Sequence, residues 1–535
     1  MTKQAAVIVI LAVSAAMSGA CRPRAAGTGR AEGWRVEKAS ANPILAPDAA
    51  PLFANSDFES GDWTGWTVVS GTAWINRPEG CDGAPNNDVA FRIPDLRGGY
   101  RTACSDNGGD AAVGVLKSRP FVVGRKYITF ISAGWDGGAG AAGRNRIELV
   151  RVDDDAVLCS TGAPQRGTWG ITRWDVARFQ GFQACLRLTD ANDGDARGWI
   201  GAGQFYASDS DWEDFAVRTP GLLHDGNGVA LRGRDGRYWM FYSGESFDNT
   251  KRTTLQRMGL ASSADLLHWT KAGEPIIPFG GSGAFDERQT ADPDVVLADG
   301  ILWMFYAGND RSGPINDPQI DRGRIGLAWC PESADWTSAS SWKKYENAAT
   351  GNALLSPPPG DNFWGMSVLR ENGRWEMWVD HYYRGTGEQI DYYYMDAARP
   401  DGADWLACPG NPVWSIPEGC GGGQTSGEIG QPSVFKHGGN YYMVYHRNCG
   451  TGRINTSLAS SPDGIHWTAL GDEPLLAGDD GRWDAAQIHM PFAAIIDGAC
   501  VIFYSGARAY TNDLNRWSIG SARIINFSGR GPEKR

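Results

Sequence analysis

The chain has 535 residues, of which 42% are hydrophobic, 21% are charged and 11% are aromatic, and its formal net charge is −12. This composition is typical of a globular protein with two or three domains, and it excludes a disordered or membrane-embedded chain. Because the net charge is negative and no basic run stands out, nucleic acid is excluded as a partner. The many aromatic residues, together with 71 Gly, favour short strands joined by tight turns.

The first residues, MTKQAAVIVILAVSAAMSGAC, predict a signal peptide over residues 1–20. Lys3 begins a short basic region, an apolar segment follows, and small residues precede the expected cleavage point. Cys21 comes directly after them, as in bacterial lipoproteins, although Ser18 stands where those signals usually carry an aliphatic residue. We therefore expect a bacterial protein that is secreted, or anchored at the cell envelope through a lipid on Cys21. Residues 21–50, rich in Ala, Arg, Gly and Pro, are interpreted as a linker.

The remaining Cys residues should be mostly oxidised in an exported chain. No Cys or His spacing indicates a zinc site, and the sequence requires no cofactor. Proximity along the chain suggests three disulfides, Cys81–Cys104, Cys159–Cys185 and Cys420–Cys449.

From Pro51 to Val217, short apolar strands such as KYITFISAG and RIELVRV alternate with Gly- and Asp-containing turns, which predicts a β-sandwich. Four stretches here, NSDFESGDWTGWTVVSGTAW, VLKSRPFVV, RWDVARFQGFQACLRLTD and GWIGAGQFYASD, resemble the module beside the catalytic domain of many bacterial levanases and related fructan hydrolases. The resemblance implies a jelly-roll sandwich that binds sugar or packs on its neighbour. Acidic residues at the two ends of the module could share a structural calcium ion or be solvated turn residues: Asp57, Glu59, Asp62, and Asp211 to Asp214.

The rest of the chain repeats one phrase, an apolar strand, a Gly turn and an aromatic strand. Its copies are GVALRGRDGRYWMFYSG, DPDVVLADGILWMFYAG, GMSVLRENGRWEMWVDH, QPSVFKHGGNYYMVYHR and MPFAAIIDGACVIFYSG. The stretches FDERQTADP and WDAAQIHMP lie 198 positions apart, which corresponds to three units of 66 residues. Five such units predict a β-propeller. The predicted fold class is therefore all-β: an N-terminal jelly-roll-like β-sandwich over residues 51–217, a five-bladed β-propeller over 218–527, and a tail over 528–535.

The repeat separates scaffold residues from candidate site residues, because a side chain that recurs in several blades is explained by packing. Asp286 and Asp484 occupy equivalent positions and are interpreted as structural. At the start of the innermost strand, blade 2 carries Asp292 before a Pro, whereas blades 4 and 5 carry Gln431 and Met490 there. A carboxylate that is present in one blade alone is a candidate site residue.

A second irregular position follows the second strand of each blade. Blades 1, 2 and 5 have small residues there, whereas blade 3 has Asp380 and His381, and blade 4 has His446 and Arg447. His489 also lies near the axis in this register. These large polar side chains on neighbouring blades predict a pocket on one side of the axis.

The stretch HDGNGVALRGRDGRYWMFYSG resembles the opening motif of glycoside hydrolase family 32, the invertases, levanases and inulinases, where an Asp sits in an Asn-Asp-Pro-Asn-Gly turn. ADPDVVLADGILWMFYAG resembles the Arg-Asp-Pro motif of the second blade, with Ala291 in place of the Arg. Family 43, the arabinanases, xylosidases and arabinofuranosidases, shares this propeller. The resemblance implies that Asp225 is the nucleophile or general base and that Asp292 stabilises the developing oxocarbenium ion. Asn227 occupies a further place of the first motif.

The resemblance departs at blade 3, which carries Trp364 where the acid Glu belongs. Glycosidic cleavage needs two carboxyl groups, so another residue has to supply the acid. Glu428, on the Gly-rich loop that enters blade 4, is preferred over Asp380 by a small margin, and Glu287 is a third alternative.

The sequence therefore predicts an exported glycoside hydrolase that acts on fructan or on arabinan- or xylan-type glycans by two-carboxylate hydrolysis. The alternative is a catalytically inactive sugar-binding propeller that has lost the acid of blade 3. The side chains expected to contact the oligo- or polysaccharide are Asn227, Trp364, His381, Gln431, His446, Arg447 and His489. No metal ligand is expected among them.

Overall fold

The computed structural model describes residues 34–74, 101–105, 111–136, 143–193, 198–248, 253–310, 323–384, 386–415, 428–448, 453–471, 473–508 and 516–527. The predicted signal peptide, Cys21 and the predicted pair Cys420–Cys449 lie outside these residues. Within them, no helix has the length and apolar character that crossing a membrane requires.

The regular structure in these residues is all-β, as predicted, with short 3-10 turns at Ala177–Phe179, Ala339–Ser341 and Ala348–Thr350. The strands that precede the propeller repeat are β1 Arg35–Lys38, β2 Ala50–Pro51, β3 Trp66–Gly71, β4 Ala103–Cys104, β5 Gly114–Ser118, β6 Phe121–Val122, β7 Tyr127–Asp136, β8 Arg146–Arg151, β9 Val157–Gly162, β10 Arg166–Asp175, β11 Gln183–Asp190 and β12 Gly198–Ser208.

Strands β2 to β12 form the predicted sandwich. One sheet has the order β10-β7-β12-β2, with β4 also paired to β12, and the other has the order β3-β5-β11-β8-β9, with β6 also paired to β11. Because side chains alternate along each strand, one face of each sheet supplies the core between them, which contains Phe58, Phe130 and Phe205.

The predicted Cys159–Cys185 disulfide is wrong, since both residues are free thiols. Cys159 pairs with Leu149 on one side of β8, and Cys185 pairs with Val150 on the other side. Two strand spacings, roughly 10 Å, separate the two cysteines, whereas a disulfide needs Cα atoms within about 7 Å. Cys104 is disulfide-bonded, and its partner lies outside the described residues.

The remaining strands form the propeller. Blade 1 contains β13 Ala216–His224, β14 Tyr238–Asp248, β15 Thr253–Ser263 and β16 Trp269–Lys271; blade 2 contains β17 Gln289–Ala298, β18 Ile301–Asn309, β19 Arg324–Pro331 and β20 Lys343–Lys344; blade 3 contains β21 Asn362–Glu371, β22 Arg374–Tyr383, β23 Gly387–Asp396 and β24 Leu406–Ala407; blade 4 contains β25 Glu428–His437, β26 Asn440–Asn448, β27 Asn455–Ser461 and β28 Thr468–Ala469; blade 5 contains β29 Gln487–Ile496, β30 Ala499–Ala507 and β31 Ser518–Ile525. The first strand of each blade contacts the first strands of its neighbours, so these five strands surround the axis.

Blade 5 takes its fourth strand from the other end of the chain. Strand β1 pairs antiparallel with β31, from Arg35 opposite Ile525 to Lys38 opposite Ala522. The interpretation of residues 21–50 as a linker is therefore wrong for its described part: this segment closes the ring by supplying an outer strand that the described residues of the fifth repeat do not supply.

A buried Lys–carboxylate–Tyr group recurs in three blades and explains the acids that were interpreted as scaffold. Asp484 accepts from Lys38 and Tyr504, at 2.7 and 3.1 Å. Blades 1 and 2 repeat the group with Lys271, Glu213 and Tyr242 and with Lys344, Asp286 and Tyr306. In each case the Lys comes from the outermost strand, so the group ties the edge of a blade to its second strand.

Every innermost strand contains a β-bulge at the same level. The register shifts lie between Arg218 and Gly221, Ala291 and Asp294, Phe363 and Met366, Gly430 and Ser433, and His489 and Phe492. A bulge leaves one residue unpaired and redirects its side chain. The repeat thus presents one variable residue per blade at the same end of the axis, which we call the mouth: the end at which the innermost strands begin.

The opposite end of the axis is closed by residues 226–230. The carbonyl oxygens of Gly226, Asn227 and Gly228 accept from the backbone N–H groups of Arg370, Lys436 and Ile495, at 2.9, 2.9 and 3.0 Å. These three donors lie near the far ends of β21, β25 and β29. The segment therefore forms a plug that joins blades 3, 4 and 5 beneath the axis.

The sandwich packs against the mouth side of blades 1 and 5. Ile131, Trp169 and Ile171, from the outer face of its β10-β7-β12-β2 sheet, share an apolar cluster with Phe215 and Trp517 of the propeller. Phe215 directly precedes β13 and Trp517 directly precedes β31, so both lie where strands begin at the mouth. The sandwich is therefore fixed beside the mouth rather than tethered at a distance.

Candidate active site at the mouth of the propeller

A small cavity lies on the axis between the bulges. Its volume is about 20 Å³, enough for a water molecule and too small for a sugar. Any larger ligand has to bind above it, at the mouth. The cavity is lined by Thr219, Pro220, Asp292, Pro293, Asp294, Met366, Gln431, Pro432, Ser433, Met490, Pro491 and Phe492.

Asp292 is the one carboxylate among the five bulge residues. The equivalent residues are Thr219 in blade 1, Trp364 in blade 3, Gln431 in blade 4 and Met490 in blade 5. Asp292 is half-buried, its φ is 53°, and its N–H donates to Ser243 Oγ at 3.0 Å. The structure therefore brings Asp292 and Gln431 to the axial cavity, and it leaves Trp364 half-buried at the same level.

Asp225 does not belong to this group, contrary to the prediction. Strands β13 and β17 run parallel, with His224 opposite Val296. Asp225 is therefore level with Leu297, which lies five residues after Asp292 on β17. At about 3.3 Å per residue, Asp225 and Asp292 are separated by about 16 Å along the strand direction. Its Oδ1 accepts from the N–H groups of Asn227 and Val229, at 2.8 and 2.9 Å. Asp225 and Asn227 therefore shape the plug. The blade 1 counterpart of Asp292 is Thr219.

Asp380 takes the position at which the other blades carry the tyrosines of their second strands. Its carboxylate is fully buried, and its Oδ2 accepts from the Gln431 N–H at 2.9 Å. Ser243 and Ser505 make the same contact to the bulge N–H groups of Asp292 and Thr219. Asp380 thus joins blades 3 and 4 at the mouth, and its role as an acid stays a prediction.

His381 is clamped between carboxylates of its own blade. Its Nδ1 lies 2.9 Å from Asp391 Oδ2 and its Nε2 lies 3.3 Å from Asp361 Oδ2. Tyr383 stacks on the ring and donates to Asp391 Oδ1 at 2.6 Å. Burial and the Asp391 carboxylate raise the pKa of the Tyr383 hydroxyl above its usual value. His381 is therefore held through Nδ1, whereas its buried Nε2 lies near the Asp361 carboxylate without a hydrogen bond to it.

His446 and His489 meet at the border of blades 4 and 5. Their ring centroids are 4.1 Å apart with the planes nearly perpendicular, and His446 Nε2 lies 3.2 Å from Glu388 Oε2. Burial, followed by the proximity of His446 and Arg218, lowers the pKa of His489 well below its usual value. Arg218 itself pairs with the buried Glu245 at 3.2 Å. The pair brings together two of the histidines expected to contact sugar.

Arg447 follows His446 on the same strand, one position before the strand ends at Asn448, and is half-buried at the mouth. Glu428, the preferred acid, begins β25 opposite Asn448, three positions before Gln431. Its side chain lies outside what the structure describes, so its role stays a prediction. Glu287, the third alternative, accepts from the Gly283 N–H at 2.8 Å.

The third strands supply site residues that sequence reasoning missed. Glu388 is opposite Tyr382, a position where blades 1 and 2 carry Arg257 and Arg324. Asp391 occupies a position where blades 1, 2 and 4 carry a buried Leu. In blade 3 it pairs with Val379, and the corresponding pairs are Phe241–Leu260, Phe305–Leu327 and Val444–Leu458. Both substitutions are visible once the repeat is compared along its third strands as well as along its first two.

The acids considered for calcium in the sandwich contact protein groups. Glu59 accepts from Arg508 and Gln204, at 2.8 and 3.1 Å, and Asp214 lies 3.5 Å from Arg173. In the described part of the chain, no group of three or more His, Cys, Asp or Glu residues is arranged to hold a metal ion. Calcium binding therefore remains a hypothesis that no described ligand group supports.

Fold and site together define an all-β protein, a five-bladed propeller with a carboxylate and a histidine pair at its mouth. No known family profile matches the chain. It is 24% identical over 353 residues to a protein of Flavonifractor plautii that is named as an A type blood N-acetyl-alpha-D-galactosamine deacetylase. That alignment covers 58% of this chain and 42% of the relative, so the chain spans less than half of its length.

Among solved structures, the chain is similar to a glycoside hydrolase, with 17% identity, a TM-score of 0.45, and coverage of 58% of this chain and 88% of the other. A thermostable family-43 glycoside hydrolase has 13% identity and a TM-score of 0.43, with 61% of this chain and 100% of that chain covered. A family 117 glycoside hydrolase of the marine bacterium Zobellia galactanivorans has 13% identity and a TM-score of 0.41, with 59% and 86% covered.

Proposed function

We propose that this protein is a hydrolase of glycans whose reaction takes place at the mouth of the propeller. One observation carries the proposal: of the five equivalent bulge residues, Asp292 alone has a carboxylate, and it is half-buried beside the axial cavity. A scaffold role does not require an acid here, because Thr, Trp, Gln and Met serve the other blades. The aromatic surface of Trp364 at the same level suits the apolar face of a sugar ring.

The bond to be broken is, in the first instance, an O-glycosidic bond in a fructan or in an arabinan- or xylan-type glycan. Hydrolysis of this bond uses one carboxylate to attack the anomeric carbon or to activate water, and a second acid to protonate the leaving oxygen. Asp292 takes the first role in the proposal. Asp380 and Glu428 remain the candidates for the acid, and Asp225 no longer takes the role of nucleophile or general base.

A second candidate reaction is the hydrolysis of an N-acyl group on an amino sugar. The observation that favours it is the similarity to the Flavonifractor plautii protein, which is named as a deacetylase of N-acetyl-alpha-D-galactosamine. Amide hydrolysis needs an activated water but no second carboxyl to protonate a sugar oxygen, so the replacement of the blade 3 acid by Trp364 is no obstacle to it.

Two product assays separate these candidates. The purified chain would be incubated with arabinan, xylan, levan and inulin, and released reducing sugar would be measured; in parallel, released acetate would be measured from N-acetylgalactosaminides. We expect Asp292→Asn to abolish whichever activity is found. Asp299→Asn is the matched control, because Asp299 lies in the exposed hairpin turn of the same strand, where it pairs with Arg370 at 2.8 Å.

If the Asp292→Asn variant retains the activity of the wild type, Asp292 has no role in catalysis. If neither product forms, binding of the same glycans, measured by calorimetry, becomes the decisive experiment. Binding without turnover would establish the sugar-binding alternative, and no binding would overturn the proposal.

The proposal includes export of the chain, by secretion or by lipid attachment at Cys21, and it rests on the N-terminal sequence pattern. Expression of the full chain in a Gram-negative host, followed by fractionation and mass analysis of the mature N-terminus, tests it. A Cys21→Ser variant should lose any lipid mass and remain exported. Retention of an uncleaved chain in the cytoplasm would contradict this part of the proposal.

A further inference from the structure

The imidazole of His446 occupies a position that blades 1, 2 and 5 fill with small side chains, whereas blade 3 carries His381 there. Ser243, Ala307 and Ser505 are the equivalent residues in blades 1, 2 and 5, as the pairing of second strands with the bulged strands shows. His446 is 1% exposed, so a large polar ring has been placed where packing alone needs a hydroxyl or a methyl group. The ring therefore calls for an explanation other than scaffold.

His446 contacts the carboxylate of Glu388. The Nε2 atom of His446 lies 3.2 Å from Glu388 Oε2, and the Glu388 side chain is 19% exposed. A carboxylate can only accept, so Nε2 carries the proton in this contact. The Nδ1 atom of a neutral His446 is then the acceptor, with a lone pair available for a proton.

The Nδ1 atom of His446 is buried and has no hydrogen-bond partner among the described residues, and the same holds for Nδ1 of His489. Leaving a buried polar atom without a partner is unfavourable, because the hydrogen bond that it made to water is lost and not replaced. Several other buried side-chain atoms among the described residues also lack a hydrogen-bond partner. Here two of them lie on rings whose centroids are 4.1 Å apart.

The two histidines have different charged neighbours. A methyl group built on Gly430 would lie 2.4 Å from Asp380 Oδ2 and 2.9 Å from His446 Cε1, so the Asp380 carboxylate is a close neighbour of the His446 ring. Glu388 is on the other side, and Arg447 follows on the same strand. His489 faces His446 and Arg218, and it stays neutral because these neighbours and burial lower its pKa. The Asp380 and Glu388 carboxylates therefore lie beside His446, whereas the charged groups that act on His489 are His446 and the guanidinium of Arg218.

We infer that His446 is a general base at the mouth, which together with Asp292 activates the attacking water. Glu388 is the residue that positions His446, and the nucleophile is a water molecule bound by His446 and His489. The inference rests on the proposed function and deepens it. In the reaction, Nδ1 of His446 takes one proton from water, and the water oxygen forms the bond to the carbon under attack. The bond to the leaving group breaks, and the leaving oxygen or nitrogen receives a proton, which the protonated His446 can return. The balance needs water alone and applies to either candidate bond.

The inference is tested with His446→Gln and Glu388→Gln, using the substrate that the screen identifies. We expect His446→Gln to lower kcat by roughly 10²–10⁴-fold, as for loss of a general base. Glu388→Gln should lower kcat less and should move the acidic limb of the kcat/KM profile to lower pH, because removing a neighbouring negative charge lowers the pKa of His446. His437→Gln is the control, since His437 ends β25 at the plug end and packs on Phe527; its kinetics should match the wild type.

Two further measurements keep the outcome decisive. Circular dichroism and thermal unfolding establish whether each variant folds, and titration of ¹³C-labelled histidine by NMR gives the pKa of His446 with and without Glu388. An unchanged pKa in Glu388→Gln, or wild-type kcat in a folded His446→Gln, would overturn the inference. If Asp292→Asn abolishes activity while His446→Gln does not, the inference fails and the proposed function stands. If the wild type hydrolyses nothing, both fail.

Discussion

The Nζ atom of Lys38 lies 2.7 Å from Oδ2 of Asp484, although 446 positions separate the two residues in the chain. Through this contact the segment ahead of the sandwich becomes the outer edge of the last blade. The sandwich is therefore inserted within the propeller: the chain begins blade 5, builds the sandwich, and returns to complete the five blades. A propeller that is closed in this way depends on its first described strand for integrity.

We expect Lys38→Met to destabilise the propeller by about 3 kcal/mol, because the substitution leaves a buried carboxylate without its cation. Urea unfolding followed by tryptophan fluorescence measures the change. Lys126→Met is the control, since Lys126 is exposed on the sandwich; surface substitutions of this kind change stability by no more than about 0.5 kcal/mol. Equal midpoints for the two variants would show that Lys38 does not hold the ring closed.

Asp225 should be dispensable for catalysis. An Asn at this position keeps an oxygen that can accept from Asn227 and Val229, so Asp225→Asn should retain the activity and most of the stability of the wild type. Asp225→Ala removes the acceptor and should cost about 1–3 kcal/mol in unfolding free energy, because the N–H groups of the half-buried residues Asn227 and Val229 lose their partner. If Asp225→Asn loses turnover while its thermal stability is unchanged, Asp225 has a role in catalysis and the prediction is wrong.

The plug should tolerate no side chain at Gly226. A Cβ atom there would lie 2.0 Å from the Arg370 carbonyl oxygen, which is backbone and cannot move aside cheaply. We expect Gly226→Ala to destabilise the propeller by about 1–3 kcal/mol, the usual range for overpacking. Gly281→Ala is the matched control, since a Cβ atom there meets nothing within 4 Å. A thermal midpoint equal to that of the control would mean that the plug is loosely held.

The stability of the protein should fall as pH rises from the ordinary pKa of an Asp side chain, 3.8, to the raised pKa of Asp214, about 6. Burial, opposed by Arg173 and Arg516, raises the pKa of Asp214 from 3.8 to about 6. The folded state then binds more protons than the unfolded state between about pH 4 and pH 6, so its stability decreases with pH across this window. The loss attributable to Asp214 is about 3 kcal/mol when complete.

Urea midpoints of the wild type and of Asp214→Asn, measured from pH 4 to pH 7.5, check this prediction. The urea midpoint of Asp214→Asn should rise relative to that of the wild type as pH rises, because the amide of the variant has no charge to bury. Asp193→Asn, at an exposed position, controls for general effects of charge. A constant difference between Asp214→Asn and the wild type at all pH values would contradict the assignment.

The all-β class and the number of blades can be predicted from the sequence, because the strand–turn–strand phrase recurs at nearly constant spacing and local turn chemistry marks each hairpin. The sequence also singled out Asp292, since a carboxylate at one of five equivalent positions is visible in a repeat. Asp286 and Asp484 were recognised as scaffold for the same reason.

Tertiary structure alone decided which end of the axis each residue faces. In the sequence, Asp225 precedes an apolar run and so resembles a residue at the start of an innermost strand; in the structure that strand is Ala216–His224, and Asp225 follows it. The pairing of β1 with β31, the separation of Cys159 from Cys185 by β8, and the contact of Glu388 with His446 were equally hidden. Each depends on which strands become neighbours when the chain closes into a ring and a sandwich, and no local pattern records a contact between residues so far apart in the chain.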